Sequence, residues 1–208
     1  MTATHAPDVI DQFAGLVLGH LLGSIRAQRP QARLQSQESY RALFEPASPL
    51  ASDFALAERF AVATFVAALH GPGPAVDFYA SGLARHGGAP ALADALAAQA
   101  ADGAAFGPYG RFPAGPLSAE DAPGPIYRVS DAGRAVLGAR LSAALIHAHL
   151  LLFHPRDASA RDLAALLDTG WSPTDIVTLS QLVAFLAYQL RAAAGLKALA
   201  SSQGGAQS

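Results

Sequence analysis

The sequence predicts an all-α fold, and three observations lead there. Hydrophobic residues recur at helical spacing through most of the 208 positions. Ser, Asp and Pro stand where helices would begin, and Gly or Pro where they would end. No segment alternates apolar and polar residues between turn signals as a half-buried strand would. The length suits one domain with a substantial core.

The elements follow in order. Val9, Ile10, Phe13, Val17, Leu21 and Ile25 line one face of a first helix over 8–27, with Asp8 after Pro7 as its N-cap. Gly15, Gly19 and Gly23 sit four apart on it, either for close packing or by simple tolerance. A polar helix, QARLQSQESYRALF, starts after Pro30 and stops before Pro46. Ser52 or Asp53 is placed to cap the next, which is apolar almost all round and so should be central. A GPGP corner follows, then the helices AVDFYASGLARHG and ALADALAAQAAD. Residues 102–130 hold five Gly and five Pro, too many for a regular helix, so a long loop is predicted. Its aromatics Phe106, Tyr109, Phe112 and Tyr127 should cover a pocket or a neighbouring subunit. A helix over 132–153 is capped by Ser130 and Asp131 and ended by Pro155. Ser159 with Asp162 opens a short helix closed by Gly170, and Ser172-Pro173-Thr174-Asp175 opens a final helix to about Leu199. In outline, one domain spans 1–208: helices over 9–101 with a hairpin at 54–86, the loop 102–130, a helical module over 131–200 and a frayed tail over 201–208.

Hydrophobic residues make up 51% of the chain, charged ones 14%, and the mean hydropathy is +0.26. So greasy a chain should bury apolar surface against another copy, as a homo-oligomer. Fourteen Lys and Arg, scattered singly against sixteen Asp and Glu, form no basic face, which argues against nucleic acid as a partner. The absence of cysteine excludes disulfides, thiolate catalysis, zinc–thiolate sites and iron–sulfur clusters. No cofactor is implied. The N-terminus reads as no secretory signal, and His147, His149, Glu58-Arg59 and Gln189–Arg191 interrupt the long apolar runs. The expectation is a cytoplasmic protein with no membrane partner.

Two stretches carry a family likeness. HPRDASARDLAALLDTGWSPTDIVTLSQLVAFLAYQLRAAAGLKAL resembles the closing module of the carboxymuconolactone decarboxylase and alkylhydroperoxidase D (AhpD)-like superfamily, and ERFAVATFVAALHGPGPAVDFY resembles its site-bearing helical hairpin. The likeness is closest to the peroxidase-related "CMD domain" subgroup. It implies an AhpD-like helical bundle and, by kinship, peroxidase or decarboxylase ancestry. In the peroxidase branch a Glu precedes the first Cys of a CxxC by twelve residues, and a His follows the second by four. Counted from Glu58, those positions are His70, Gly73 and Asp77, so Glu58 alone matches. Dithiol peroxidase chemistry needs two sulfurs, and this chain has none.

What remains at the hairpin is Glu58, His70 and Asp77. An acid on an apolar helix is suited to proton transfer unless a cation, Arg191 or an inward-turned Arg59, pairs with it. His70 either meets the C-terminal helix dipole or, facing Asp77 across the corner, forms a base with its orienting acid. Tyr79, Gln181, Tyr188 and Arg191 are the candidate small-molecule contacts. His147 and His149 point about 200° apart on a helix, so a metal is not expected there. Trp171 should staple the entrance of the last helix. Cysteine-free acid/base chemistry around Glu58 and His70 is one reading of function; a non-catalytic small-molecule-binding or oligomeric interaction module is the other.

Overall fold

The computed structural model describes residues 8–14, 26–46 and 52–204. Eight α-helices and two short 3₁₀ turns occur among the described residues, with no strand, so the all-α expectation holds. The helices are α1 (Val9–Phe13), α2 (Pro30–Phe44), α3 (Leu56–Leu69), α4 (Pro74–Arg85), α5 (Pro90–Asp102), α6 (Asp131–Phe153), α7 (Ala160–Leu167) and α8 (Pro173–Gly204). Gly15, Gly19 and Gly23 lie outside the described residues. The final helix continues through Ser201 and Ser202, where a frayed tail was expected.

Helix α3 is the axis of the bundle, because its apolar residues leave no face for water. Every residue from Arg59 to Ala67 is buried, and α2, α4, α5, α6 and α8 pack around it. The hairpin of α3 and α4 closes through Gly82, whose missing side chain lets the Phe60 ring lie against the α4 backbone. Tyr79 sits in the same layer, fully buried among Phe13, Phe44, Phe60 and Phe78, with its hydroxyl donating to Gln189 of α8. The N-terminus is fastened by charge. Arg26 bonds both Asp8 and Asp11, and Arg33 reaches Asp11 at 3.0 Å, so two buried acids meet two guanidiniums.

The predicted loop 102–130 is ordered by specific bonds and by Tyr127 and Val129, which enter the core. Buried Gln99 on α5 accepts from the Tyr127 hydroxyl and the Ser130 N–H, and donates to the Ser130 hydroxyl. Tyr127 stacks on His149 at 4.7 Å, and Phe112 lies under the Arg156 guanidinium at 4.2 Å. Phe106, by contrast, is 98% exposed and covers nothing among the described residues. Helix α6 is interrupted at Gly138, whose φ of 71° only glycine adopts freely; the helix therefore kinks one residue before Ala139 and two before Arg140.

Two helices, Asp131–Phe153 and Pro173–Ser202, are long and apolar enough to cross a membrane by composition, yet about half of each apolar window is buried inside this bundle.

Replacing Gly82 by Ala tests the α3–α4 contact. In an unconstrained helix that change stabilises by about 1 kcal/mol. Here the new Cβ falls 2.2 Å from the Phe60 ring, so the sign reverses to a loss of about 1–3 kcal/mol in urea unfolding.

Candidate functional site

Glu58 stands at the third position of α3, and its surroundings show what it does. One carboxylate oxygen accepts from the Ala55 N–H at 3.3 Å, half of a capping box, while the N-cap position falls on Ala55 rather than Ser52 or Asp53. The other oxygen is 2.9 Å from Nε of Arg140 on α6. The expected partners, Arg191 and Arg59, are engaged elsewhere or distant. Arg59 does turn inward, but onto the carbonyls of Phe54 and Leu43 at 2.9 and 3.0 Å and over the Phe54 ring.

Arg140 gathers four elements. Besides Glu58 it donates to the Gly170 carbonyl at 2.5 Å and to the Asp53 carbonyl at 3.5 Å, and lies 4.0 Å from the Asp175 carboxylate. Its guanidinium covers the Trp171 ring at 4.1 Å, and the Trp171 indole N–H returns a bond to the Arg140 carbonyl at 3.1 Å. Trp171 packs edge-on against Phe54 at 4.8 Å, so it does fasten the start of α8, with Arg140 as the clasp. Asp175 is buried, with Ser52 and Ser172 hydroxyls donating to it at 2.5 and 2.8 Å. Burial alone would raise its pKa. The two hydroxyls, the Arg140 charge and the Phe54 N–H outweigh burial and hold it below the ordinary carboxylate value.

His70 is at the opposite end of α3, as its C-cap. Twelve residues at about 1.5 Å each put it roughly 18 Å from Glu58 along the axis, so the two do not share a small site. Its Nδ1 donates back to the Val66 carbonyl at 2.9 Å. Partial desolvation lowers its pKa against the opposing effect of that bond, with Arg191 pushing the same way as desolvation. The charged ring expected at a helix C-terminus is therefore disfavoured. Asp77 is exposed in the first turn of α4 and forms no hydrogen bond or ion pair with His70.

The remaining contact candidates scatter. Tyr79 is core, closed off from any small molecule. Gln181 is exposed on α8, and the Tyr188 hydroxyl joins Ser36 of α2 at 2.8 Å. Arg191 borders a shallow groove of about 260 Å³ between α6 and α8, walled by Leu151, Leu152 and Val183.

A larger opening than this groove lies elsewhere. A cavity of about 510 Å³ separates α6 from α7, with Ile126 and Tyr127 of the loop as a third wall. That size is ordinary for a small-molecule site. Apolar side chains Ala139, Ala143, Ile146, Leu150 and Leu166 form most of it. Three histidines border it, and each has its own anchor. His149 Nε2 donates to the Gly103 carbonyl at 2.9 Å, and His154 bridges Asp157 and the Pro125 carbonyl. His147 Nε2 is 3.1 Å from the Ser180 hydroxyl, which itself donates to the Ile176 carbonyl. The serine thus presents a lone pair, so Nε2 carries the proton and Nδ1 is an acceptor, buried and without a partner among the described residues. Desolvation lowers the His147 pKa, which Asp162 only partly opposes, and keeps the ring neutral. Among the described residues no three His, Asp or Glu side chains converge as a metal site.

Neither this cavity nor Arg140 was anticipated from sequence. The one local signal was three histidines within eight residues of an otherwise apolar helix.

Two outcomes test the junction. Arg140→Lys, which keeps the charge but loses the fork, should cost about 1–3 kcal/mol in chemical denaturation. Asp175 adds a pH signature. Because its native pKa is depressed, the stability gap between wild type and Asp175→Asn should be full above the ordinary value near 3.8 and close as pH falls through the lower native one. A gap independent of pH would contradict the assignment.

No family model, curated protein or solved structure matches the chain.

Proposed function

We propose that this chain is a non-catalytic binding protein for a small, largely apolar molecule, held between α6, α7 and the end of the 102–130 loop. The carrying observation is the cavity of about 510 Å³, apolar over most of its wall and edged by an unpartnered histidine acceptor. The acid/base reading at the hairpin has less support, since Glu58 is engaged by Arg140 and by Ala55 and lies a helix length from His70. Kinship with the AhpD-like superfamily belongs to the same proposal. The helix–corner–helix of α3 and α4 and the order short helix, Gly170, long helix in α7 and α8 support that reading, while the absence of sulfur removes the dithiol route.

Self-association and a cytoplasmic setting complete the reading. Ile126, Leu163 and Leu167 are exposed near the cavity, as is Phe106 on the loop, and apolar surface of that kind favours contact with a second copy. The long apolar helices then act as core.

Nile red, a neutral dye that brightens in apolar surroundings, tests the proposal. Wild type should bind it saturably. Ala165→Trp, which fills the cavity from an exposed position on α7, should weaken binding by about tenfold or more without loss of helical circular dichroism, whereas His70→Ala should bind as wild type does. Binding that ignores the Trp but needs His70 would move the site back to the hairpin.

A further inference from the structure

The engaged and unengaged groups around the cavity differ in kind, and the difference bears on what the cavity holds. Two acids border it, Asp157 and Asp162, and both are occupied. Asp162 accepts from the Ser159 N–H and hydroxyl at 2.9 and 2.7 Å, closing the first turn of α7. Asp157 accepts from the Arg111 N–H and meets His154, each at 3.1 Å, and these bonds hold its pKa below the ordinary value. The two cations of the same wall are Arg134 on the first segment of α6 and Arg161 on α7. Both are exposed, and neither guanidinium forms an ion pair or hydrogen bond with another described residue; the Arg134 backbone N–H alone donates, to the Ser130 carbonyl at 2.8 Å. The formal charges balance, but the free capacity of the charged groups does not: it consists of two guanidinium forks, each shaped to receive two oxygens of a planar anion.

We propose that the cavity takes an amphiphilic carboxylate, with its apolar body against Ala143, Ile146, Leu150 and Leu166 and its head between Arg134 and Arg161. The inference rests on the cavity being the binding site. A neutral alcohol or a cation of the same length leaves the guanidiniums with water and forfeits the head contact. Arginine suits the position because a guanidinium is more weakly hydrated than an ammonium and gives up less on meeting a carboxylate. The orphaned His147 Nδ1, as an acceptor, attracts no carboxylate oxygen, which leaves the arginine rim as the anion's place. Since that rim is open to solvent, the head contact should weaken with salt while the body contact does not.

Displacement of Nile red by decanoate, decanol and decyltrimethylammonium is the test, on wild type and on Arg134→Gln, Arg161→Gln and the double variant. The dye is uncharged, so its own binding reports that the cavity survives each change. Decanoate should displace it at concentrations roughly tenfold below decanol, with the cation weakest, and the advantage should vanish in the double variant and shrink in salt. Equal displacement by decanoate and decanol, or a decanoate advantage that the double variant keeps, would overturn the carboxylate while leaving the cavity standing. Dye binding without displacement by any of the three would also overturn it. Failure of wild type to bind the dye at all would bring down the cavity reading, and this one with it.

Discussion

The bundle depends on one guanidinium. Arg140 leaves α6 just after its kink and ties the start of α3, the turn before α8 and the segment ahead of α3 to one point, through Glu58, the Gly170 carbonyl and the Asp53 carbonyl. Trp171 beneath it is fully apolar on one side and donates back to the Arg140 backbone, so the charge is satisfied by bonds and shielded by a ring. A lysine would supply the charge without the fork or the stacking plane. Buried Asp175, held ionised by two serine hydroxyls, sets the electrostatic floor of the junction.

That junction bears on function by what it consumes and what it frees. It consumes Glu58, an acid that otherwise invites a catalytic reading. Arg140 fixes α6 just past its kink, and Gln99 fixes the N-cap of the same helix through Ser130 and the end of the loop through Tyr127. Beyond Arg140, α7 packs on α6 and α8, and small residues, Ala139, Ala143 and Ala165, leave space between α6 and α7 open. The cavity is thus a product of alanine at positions that larger side chains would fill, bounded by polar bonds rigid enough to keep it from collapsing.

Much of this architecture was legible in the sequence. Pro30, Pro74 and Pro173 each open a helix, Ser130 and Ser172 each cap one, and the unbroken apolar run of α3 foretold its central place. Partners across long separations were not legible. Arg140 follows Glu58 by 82 positions, and no periodicity links them. Tyr79, a candidate small-molecule contact by sequence, falls instead on the buried stripe of α4 with Ala75 and Leu83. Beyond its three histidines and Tyr127 the cavity left little trace, because alanine reads equally as helix former, core filler and empty space. The family likeness drew attention to His70 and Asp77, and the geometry gives each a local role in its own helix end rather than a shared one.

The most direct measurement is the map of amide chemical-shift changes on adding decanoate to labelled protein. The account predicts that the changes cluster at Ile126, Ala143, Ile146, His147 and Ala165, with those at Glu58, His70 and Asp77 near zero. A map centred on His70, Asp77 and the GPGP corner, with the α6–α7 resonances unmoved, would contradict it.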